Sequence, residues 1–367
     1  MSSPVDIGVA LSPSCSRDEI DHIINDIIIL NKNREQDDII RLELVEKAKS
    51  LLRSLETPRE TMVRHLWAEV SRIMRHIAAL GYLAEVGPDE YSLTNFSKSL
   101  SIPIIGDGYP GLCASNQIAI NRMPQYLQST KYVDPAPHGV FKFAHDTELP
   151  IFGWFGQNPV IAKQFGHHMA AYVKGQPTWM DIYPVKEALL EGFADEPNAV
   201  MFVDVGGSHG HVVQELHDSL PTVPGRLVVQ DLPDVIGAIG PDALAAKIEK
   251  MPHDFFTEQP IKGARAYYMR AVLHDWDDED CGKLLANLRP AMKPGYSKLL
   301  INEYVIPAVK ANWQATSLDI IMMADQSSRE RTAGEWEAML TKAGFKICKI
   351  WSSPIGGQAL IECELSV

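Results

Sequence analysis

Apolar residues recur at helical spacing early in the chain. Ile20, Ile23, Ile24, Ile27 and Ile28 share one face of a helix running to Leu30, with Asp18 as its expected N-cap. A second helical run extends from about Asp37 to Leu55, where Thr57-Pro58 stops it. A third extends from about Glu60 to Leu80 and ends at Gly81. Two short extended runs between Tyr82 and Thr94 then flank Gly87-Pro88-Asp89, which predicts a hairpin. A helix followed by a small hairpin outlines a winged-helix unit. Residues 110–190 read as mainly helical, with aromatic stretches at Phe141-Lys142-Phe143 and Ile151-Phe152-Gly153-Trp154-Phe155.

Near Glu196-Pro197-Asn198 the period changes. Extended runs at Val200 to Val205, Arg226 to Gln230, Ala266 to Met269 and Lys298 to Ile306 alternate with helical runs at His211 to Ser219, Asp277 to Met292 and Thr332 to Ala343. Strand and helix in alternation predict a mostly parallel sheet covered by helices. Two last strands, Phe345 to Trp351 and Ala359 to Leu365, are joined by a short turn and should run antiparallel. No internal repeat interrupts the order.

Composition narrows the partners. The 367 residues, 46% hydrophobic and 22% charged, suit a globular chain of two or three domains. With 34 basic and 47 acidic residues the formal charge is -13, which disfavours nucleic acid or an anionic membrane surface as partner. No apolar run approaches the roughly 20 residues of a bilayer span, and the start MSSPVDIGVALSPSC lacks the basic and apolar regions of a signal peptide. The five cysteines lie far apart without zinc-ligand spacing. A cytoplasmic protein with reduced thiols and no metal is expected.

Candidate chemistry gathers at strand ends. Phe202-Val203-Asp204-Val205-Gly206-Gly207-Ser208-His209-Gly210 leaves a strand and opens a helix, where glycines let backbone turn tightly and approach a ligand. Asp231, followed by Leu232, ends the next strand, placed to accept hydrogen bonds from two ribose hydroxyls. The spacing GGxxG differs from the GxGxxG of dinucleotide sites, and Asp204 sits poorly beside a pyrophosphate; it suits the cationic end of S-adenosylmethionine. Asp254 and Phe255 offer an acid and an aromatic face for adenine. His274 lies in Tyr267-Tyr268-Met269-Arg270-Ala271-Val272-Leu273-His274-Asp275-Trp276, at the same sheet edge, and can take a proton from a hydroxyl. Glu303 stands among apolar strand residues, where an acid is costly without a partner. Glu330 precedes a helix as a solvated charge, a partner of Arg329 or Arg331, or a carboxylate that fixes the His274 ring.

These runs resemble the caffeate-type small-molecule O-methyltransferases that use S-adenosylmethionine, especially their fungal branch. The matching segments are VDVGGSHG at 203–210, QDLP at 230–233, HDFF at 253–256, YYMRAVLHDWDD at 267–278, INEYVIP at 301–307 and RERT at 329–332. Residues 57–198 match more weakly, through MRHIAALGYL, EYSLTNFSKSL and FGHHM.

The resemblance implies an α/β fold with a Rossmann-like seven-stranded methyltransferase sheet, order 3-2-1-4-5-7-6. It divides the chain into a helical, winged-helix dimerisation domain at 1–110, a helical linker and substrate-pocket region at 111–195, and a cofactor-binding domain at 196–367. It implies that Asp204, Gly206, Gly207, Asp231, Leu232, Asp254, Phe255 and Arg270 hold the cofactor. His274 would be the general base beside Glu303 and Glu330, and Trp154, Phe165 and Met169 would wall the pocket of a small aromatic acceptor. It further implies a homodimer. Two features depart from the pattern. Ser208 replaces the third glycine of the usual VDVGGG, and Ala68 to Ile73 alone joins two regions that in relatives flank several tens of residues of interface helices. The alternatives kept open are a dehydratase or pericyclase that binds S-adenosylmethionine on the same fold, or a catalytically silent homologue.

Overall fold

The structure, a computed structural model, describes residues 15–32, 38–55, 57, 70–87, 90–173, 178–194, 196–352 and 357–366. The chain divides into two compact units, Met1–Ser101 and Ile102–Val367.

In the first unit, helices Arg17–Asn31 and Asp38–Leu55 pack against each other. The first helix is capped by Ser16, not Asp18. The Ser16 hydroxyl accepts the Glu19 amide at 3.4 Å while the Glu19 carboxylate accepts the Ser16 amide at 2.9 Å. This reciprocal pair satisfies two otherwise unbonded amides, and Asp18 falls in the first turn, where an acid also favours the helix dipole. Helix Val70–Ala79 leads into β1 (Leu83–Gly87) and β2 (Glu90–Leu93), which pair antiparallel with Leu83 opposite Leu93. The expected start of that helix at 60–69, including the first two residues of the Ala68 to Ile73 junction, lies outside the described residues. So does the hairpin tip, Pro88-Asp89.

The second unit begins with helices, among them Asn116–Ser129, Gly139–His145, Ile151–Gln157 and Pro159–Val173. They enclose Ala119, Val140, Phe141, Ile151 and Phe155 together with Ala324 from a later helix. The seven-stranded sheet follows: β3 (Val200–Val205), β4 (Arg226–Asp231), β5 (Ile248–Pro252), β6 (Ala266–Arg270) and β7 (Lys298–Glu303), then a short β8 (Val305–Ile306) and β9 (Arg331–Thr332) outside it, and β10 (Phe345–Trp351) and β11 (Ala359–Leu365). The spatial order is β5-β4-β3-β6-β7-β11-β10. Counted within the sheet this is 3-2-1-4-5-7-6, as expected, and β11 alone runs antiparallel to its neighbours. Helices cover both faces, so the central strands are buried on each side. Tyr267, Met269 and Ile301 pack with Leu284, Trp336 and Leu340 on one face, and Phe202, Tyr268 and Leu300 with Trp179 and Val213 on the other.

Two elements give weak local signals. β5 is an edge strand, Ile-Glu-Lys-Met-Pro, whose two charges and terminal proline mask its extended pattern. Helix Trp313–Asp325 carries apolar residues around most of its circumference, with Ile320 and Trp313 exposed, so no polar stripe marks it. The expected strand Lys298 to Ile306 divides. β7 stops at Glu303, and β8 leaves the sheet to pair in parallel with β9. That departure places residues 330–331 beside the end of β7.

Candidate active site

One rim of the sheet, at the carboxyl ends of β3, β4, β6 and β7, carries the candidate chemistry. At the β3 end, the amides of Gly206 and Gly207 both donate to the Gln230 carbonyl at 2.9 Å, which pins the turn to β4. Gly206 has φ +72°, and a Cβ there would meet Val272 Cγ2 at 2.9 Å, with the Phe255 ring at 3.6 Å. A Cβ on Gly207 would lie 2.6 Å from Asp204 Oδ2. These close approaches explain why the turn is made of glycines.

The Asp231 carboxylate closes the same turn. Its Oδ2 accepts the Ser208 amide and its Oδ1 the Leu232 amide, each at 2.8 Å. A carboxylate has about four acceptor sites, so two further hydroxyls can still be bound. The Leu232 side chain is exposed. Asp254 is exposed too, accepting the Phe256 amide at 2.9 Å, and Phe255 meets the Trp276 ring edge-on with centroids 6.1 Å apart. Arg270 ends β6 and donates to Gln358 at 3.0 Å.

Asp204 lies under the turn, almost wholly buried, and its Oδ2 has no hydrogen-bond partner among the described residues. Burial pushes its carboxyl up to about 7, with Arg270 acting against that and Asp231 adding to it. A buried, unsatisfied acid beside a glycine cradle, with ribose acceptors and an aromatic face on the same rim, fits a cationic nucleoside such as S-adenosylmethionine.

His274 occupies a short turn, Leu273–Asp275, after β6 and is 7% exposed. Ala271, at φ +50°, reverses the chain into that turn and donates to the Asn302 carbonyl of β7 at 3.2 Å. Glu303 then receives the turn. Its Oε1 accepts the amides of Val272 and Leu273 at 2.9 Å and of His274 at 3.4 Å. The partner that an acid in this strand requires is therefore backbone. Glu330 arrives through the β8–β9 pairing and is held by its amide on Asp319 Oδ1 at 2.9 Å. Its Oε1 meets His274 Nδ1 at 2.6 Å, and Glu303 Oε2 lies 3.7 Å from the same nitrogen. The second oxygens of both glutamates are buried without a hydrogen-bond partner among the described residues.

Burial by itself pulls the His274 imidazole down, but the charges of Glu303, Asp275 and Glu330 outweigh it and raise it to about 10. Burial pushes Glu303 up to about 7, with His274 and the Val272 amide pulling the other way. The three side chains present ligand atoms within 4.8 Å of one another. The 2.6 Å contact is the length of a charge-assisted hydrogen bond. It is shorter than the roughly 3.3 Å between ligands of a four-coordinate ion with bonds of about 2.0–2.1 Å.

Of the aromatic-wall candidates, Trp154 and Phe165 pack on the apolar cluster of Phe141 and Phe155, while Met169 is exposed. Sequence reasoning missed two acids near His274. Asp275 Oδ1 lies 3.6 Å from His274 Nε2 and accepts from Gln326 at 3.0 Å. Asp325 is buried, accepts from Asn116 at 2.6 Å, and is pushed up to about 7 by burial and then by Asp275. Asp275 adjoins His274 in the sequence and was there to be read; Asp325 closes a helix with no signal of its own. A cavity of about 520 Å³, lined by Asn198, Arg226, Lys262, Lys293 and Tyr296, belongs to the opposite rim and to neither half of this site.

Fold and rim together define a methyltransferase of the S-adenosylmethionine-binding class. Residues 158–346 match the O-methyltransferase domain family. The chain is 38% identical to the methyltransferase cfoC of Aspergillus candidus, over 80% of this chain and 73% of that protein. It is 36% identical to a demethylsterigmatocystin 6-O-methyltransferase of Aspergillus flavus, over 76% of this chain and 70% of that one. Among solved structures, LepI in complex with S-adenosylmethionine superposes with a TM-score of 0.83 at 26% identity, covering 96% of this chain and all of that one. OxaC in complex with sinefungin and meleagrin gives 0.78 at 25%, with the same coverage. A pericyclic reaction enzyme gives 0.83 at 26%, again with that coverage. The chain belongs to the O-methyltransferase family and is an S-adenosylmethionine-dependent O-methyltransferase. Among the described residues no helix is long and apolar enough to cross a membrane.

Proposed function

We propose that this enzyme methylates a phenolic or similarly acidic hydroxyl of a small aromatic secondary metabolite, with His274 as general base. The hydrogen bond from His274 Nδ1 to Glu330 carries the reading: it orients the ring, assigns the Nδ1 proton to the carboxylate side and leaves Nε2 for the acceptor. A phenol near pKa 10 is a poor nucleophile at neutral pH until its proton is withdrawn. The surrounding carboxylates raise the proton affinity of the imidazole, so His274 is charged at neutral pH and would act as the base only once a cation bound beside it lowers that affinity and frees Nε2 to take the phenol's proton. Glu303 and Glu330 then stabilise the imidazolium that results. Gly206, Gly207, Asp231 and Phe255 would hold S-adenosylmethionine, with Asp204, Leu232, Asp254 and Arg270 around them. Bound there, it supplies an electrophilic methyl carbon on a cationic sulfonium whose charge opposes the carboxylates' hold on the imidazole proton. Trp154, Phe165 and Met169 would face the acceptor. The reaction in this reading needs no metal, and the protein works in the cytoplasm as a homodimer.

His274→Ala should keep calorimetric binding of S-adenosylmethionine and lose transfer by at least about 100-fold, the low end for a general base. Undiminished turnover overturns the assignment. The likeness to a pericyclic reaction enzyme favours one second reading, in which the cofactor's charge is used and its methyl kept. Mass spectrometry separates the two, because only transfer adds a methylene to the product.

A further inference from the structure

The turn bearing His274 is gripped from two sides. Glu303 Oε1 takes its amides, those of Val272, Leu273 and His274. Arg331 takes its carbonyls. Nη1 donates to the Leu273 carbonyl at 3.0 Å and Nη2 to the Trp276 carbonyl at 2.9 Å, so the guanidinium brackets His274. Nε and Nη2 also share Asp278 Oδ1, at 3.0 and 2.8 Å, and the cation lies 5.3 Å from the centroid of the Trp336 ring. Arg331 is 1% exposed, an expensive place for a charge unless its donors are engaged. Here they are divided between two carbonyls of one short turn and the side chains of Asp278 and Cys281. Arg331 also follows Glu330 directly, so a single backbone step delivers both the carboxylate that meets Nδ1 and the cation that holds the turn.

We propose that Arg331 is a positioning residue for the His274 base, clamping the Leu273–Trp276 segment so that Nδ1 stays on Glu330. The proposal rests on the reading of His274 as the base. Lysine cannot replace this clamp, because one ammonium does not present the planar fork that reaches two carbonyls and a carboxylate together.

The test reads the geometry directly, by proton and nitrogen NMR of the histidine side chains in the full-length, ¹⁵N-labelled protein. His274→Gln identifies the His274 signal by its loss. The wild type should show a strongly downfield Nδ1 proton, the mark of a short charge-assisted bond. Arg331→Lys should move that proton upfield or lose it to exchange, while S-adenosylhomocysteine still binds by calorimetry. Asp278→Asn is the milder arm. Asp278 is 51% exposed, so the fold should survive its replacement, and a smaller upfield shift is expected. A folded variant of either kind with lowered thermal stability but an unmoved Nδ1 proton overturns the proposal and leaves Arg331 a packing residue. Failure of the base reading would appear elsewhere, as turnover retained in His274→Ala, so the two ideas fall separately.

Discussion

The two halves of the rim solve opposite problems with opposite materials. Around β3 and β4, the buried Asp204 apart, the work falls to backbone and to accessible groups: bare glycine faces, an Asp231 already tied to two amides, and an exposed Asp254 and Leu232. Around β6 and β7 it falls to buried charge. His274 is 7%, Glu330 3%, Arg331 1% and Glu303 0% exposed. A cofactor that enters and leaves each cycle needs a surface it can reach, whereas a base needs carboxylates shielded from water so that they act strongly on one proton. On the proposed reading, the buried half ties catalysis to folding stability and the open half ties it to binding.

The sharpest contrast comes from removing an acid on each side. Glu303→Ala strips a turn of its amide acceptor and His274 of a buried counter-charge, and should destabilise the protein by about 3–5 kcal/mol in urea unfolding. Asp254→Ala should stay within about 0.5 kcal/mol of wild type and show its effect in cofactor affinity. Comparable stability losses in the two variants would erase the distinction.

Stability against pH tests the same contrast without breaking a contact. His274 is raised from 6.5 to about 10 on folding, so the native state binds the extra proton between those values. Its contribution is fully present below pH 6.5 and is lost as pH rises towards 10. Glu303, raised from 4.5 to about 7, acts with the same sign at lower pH. Urea midpoints should fall from neutral pH to pH 10, and His274→Gln should flatten that decline. An equal slope in the variant would mean that the cluster does not hold the proton.

Gly206→Ala works on the open half. The side chain would sit in the left-handed region and 2.9 Å from Val272, so a loss of about 1–3 kcal/mol is expected, with weakened cofactor binding by calorimetry. The smallest effect should be a gain. Ser208 stands at φ +50°, where glycine is favoured, and Ser208→Gly should raise stability by up to about 1 kcal/mol. A loss there would show that the serine side chain contributes more than its strained backbone costs.

Legibility followed the kind of signal. Strands β3, β4, β6, β10 and β11 were readable because central strands bury both faces in continuous apolar runs and the last two are joined by a short turn. Glu303 was readable as an acid out of place in such a run, and His274 by its place at the same sheet edge as the glycine turn. Arg331 was not: an arginine in the polar run Arg329-Glu330-Arg331-Thr332 looks like solvated surface, and only its 1% exposure says otherwise. Asp325 and the helix it ends were invisible for a related reason, having no polar stripe to mark an inner face.

Order along the chain, the alternation of elements and the residue types at the strand ends follow from local chemistry, because period and turn composition are properties of neighbouring residues. Convergence does not. Glu303 and Glu330 meet at one imidazole because β7 stops at Glu303 and β8 pairs with β9, and a crossing between segments 25 residues apart is settled by which packing buries more apolar surface while satisfying the polar groups it encloses.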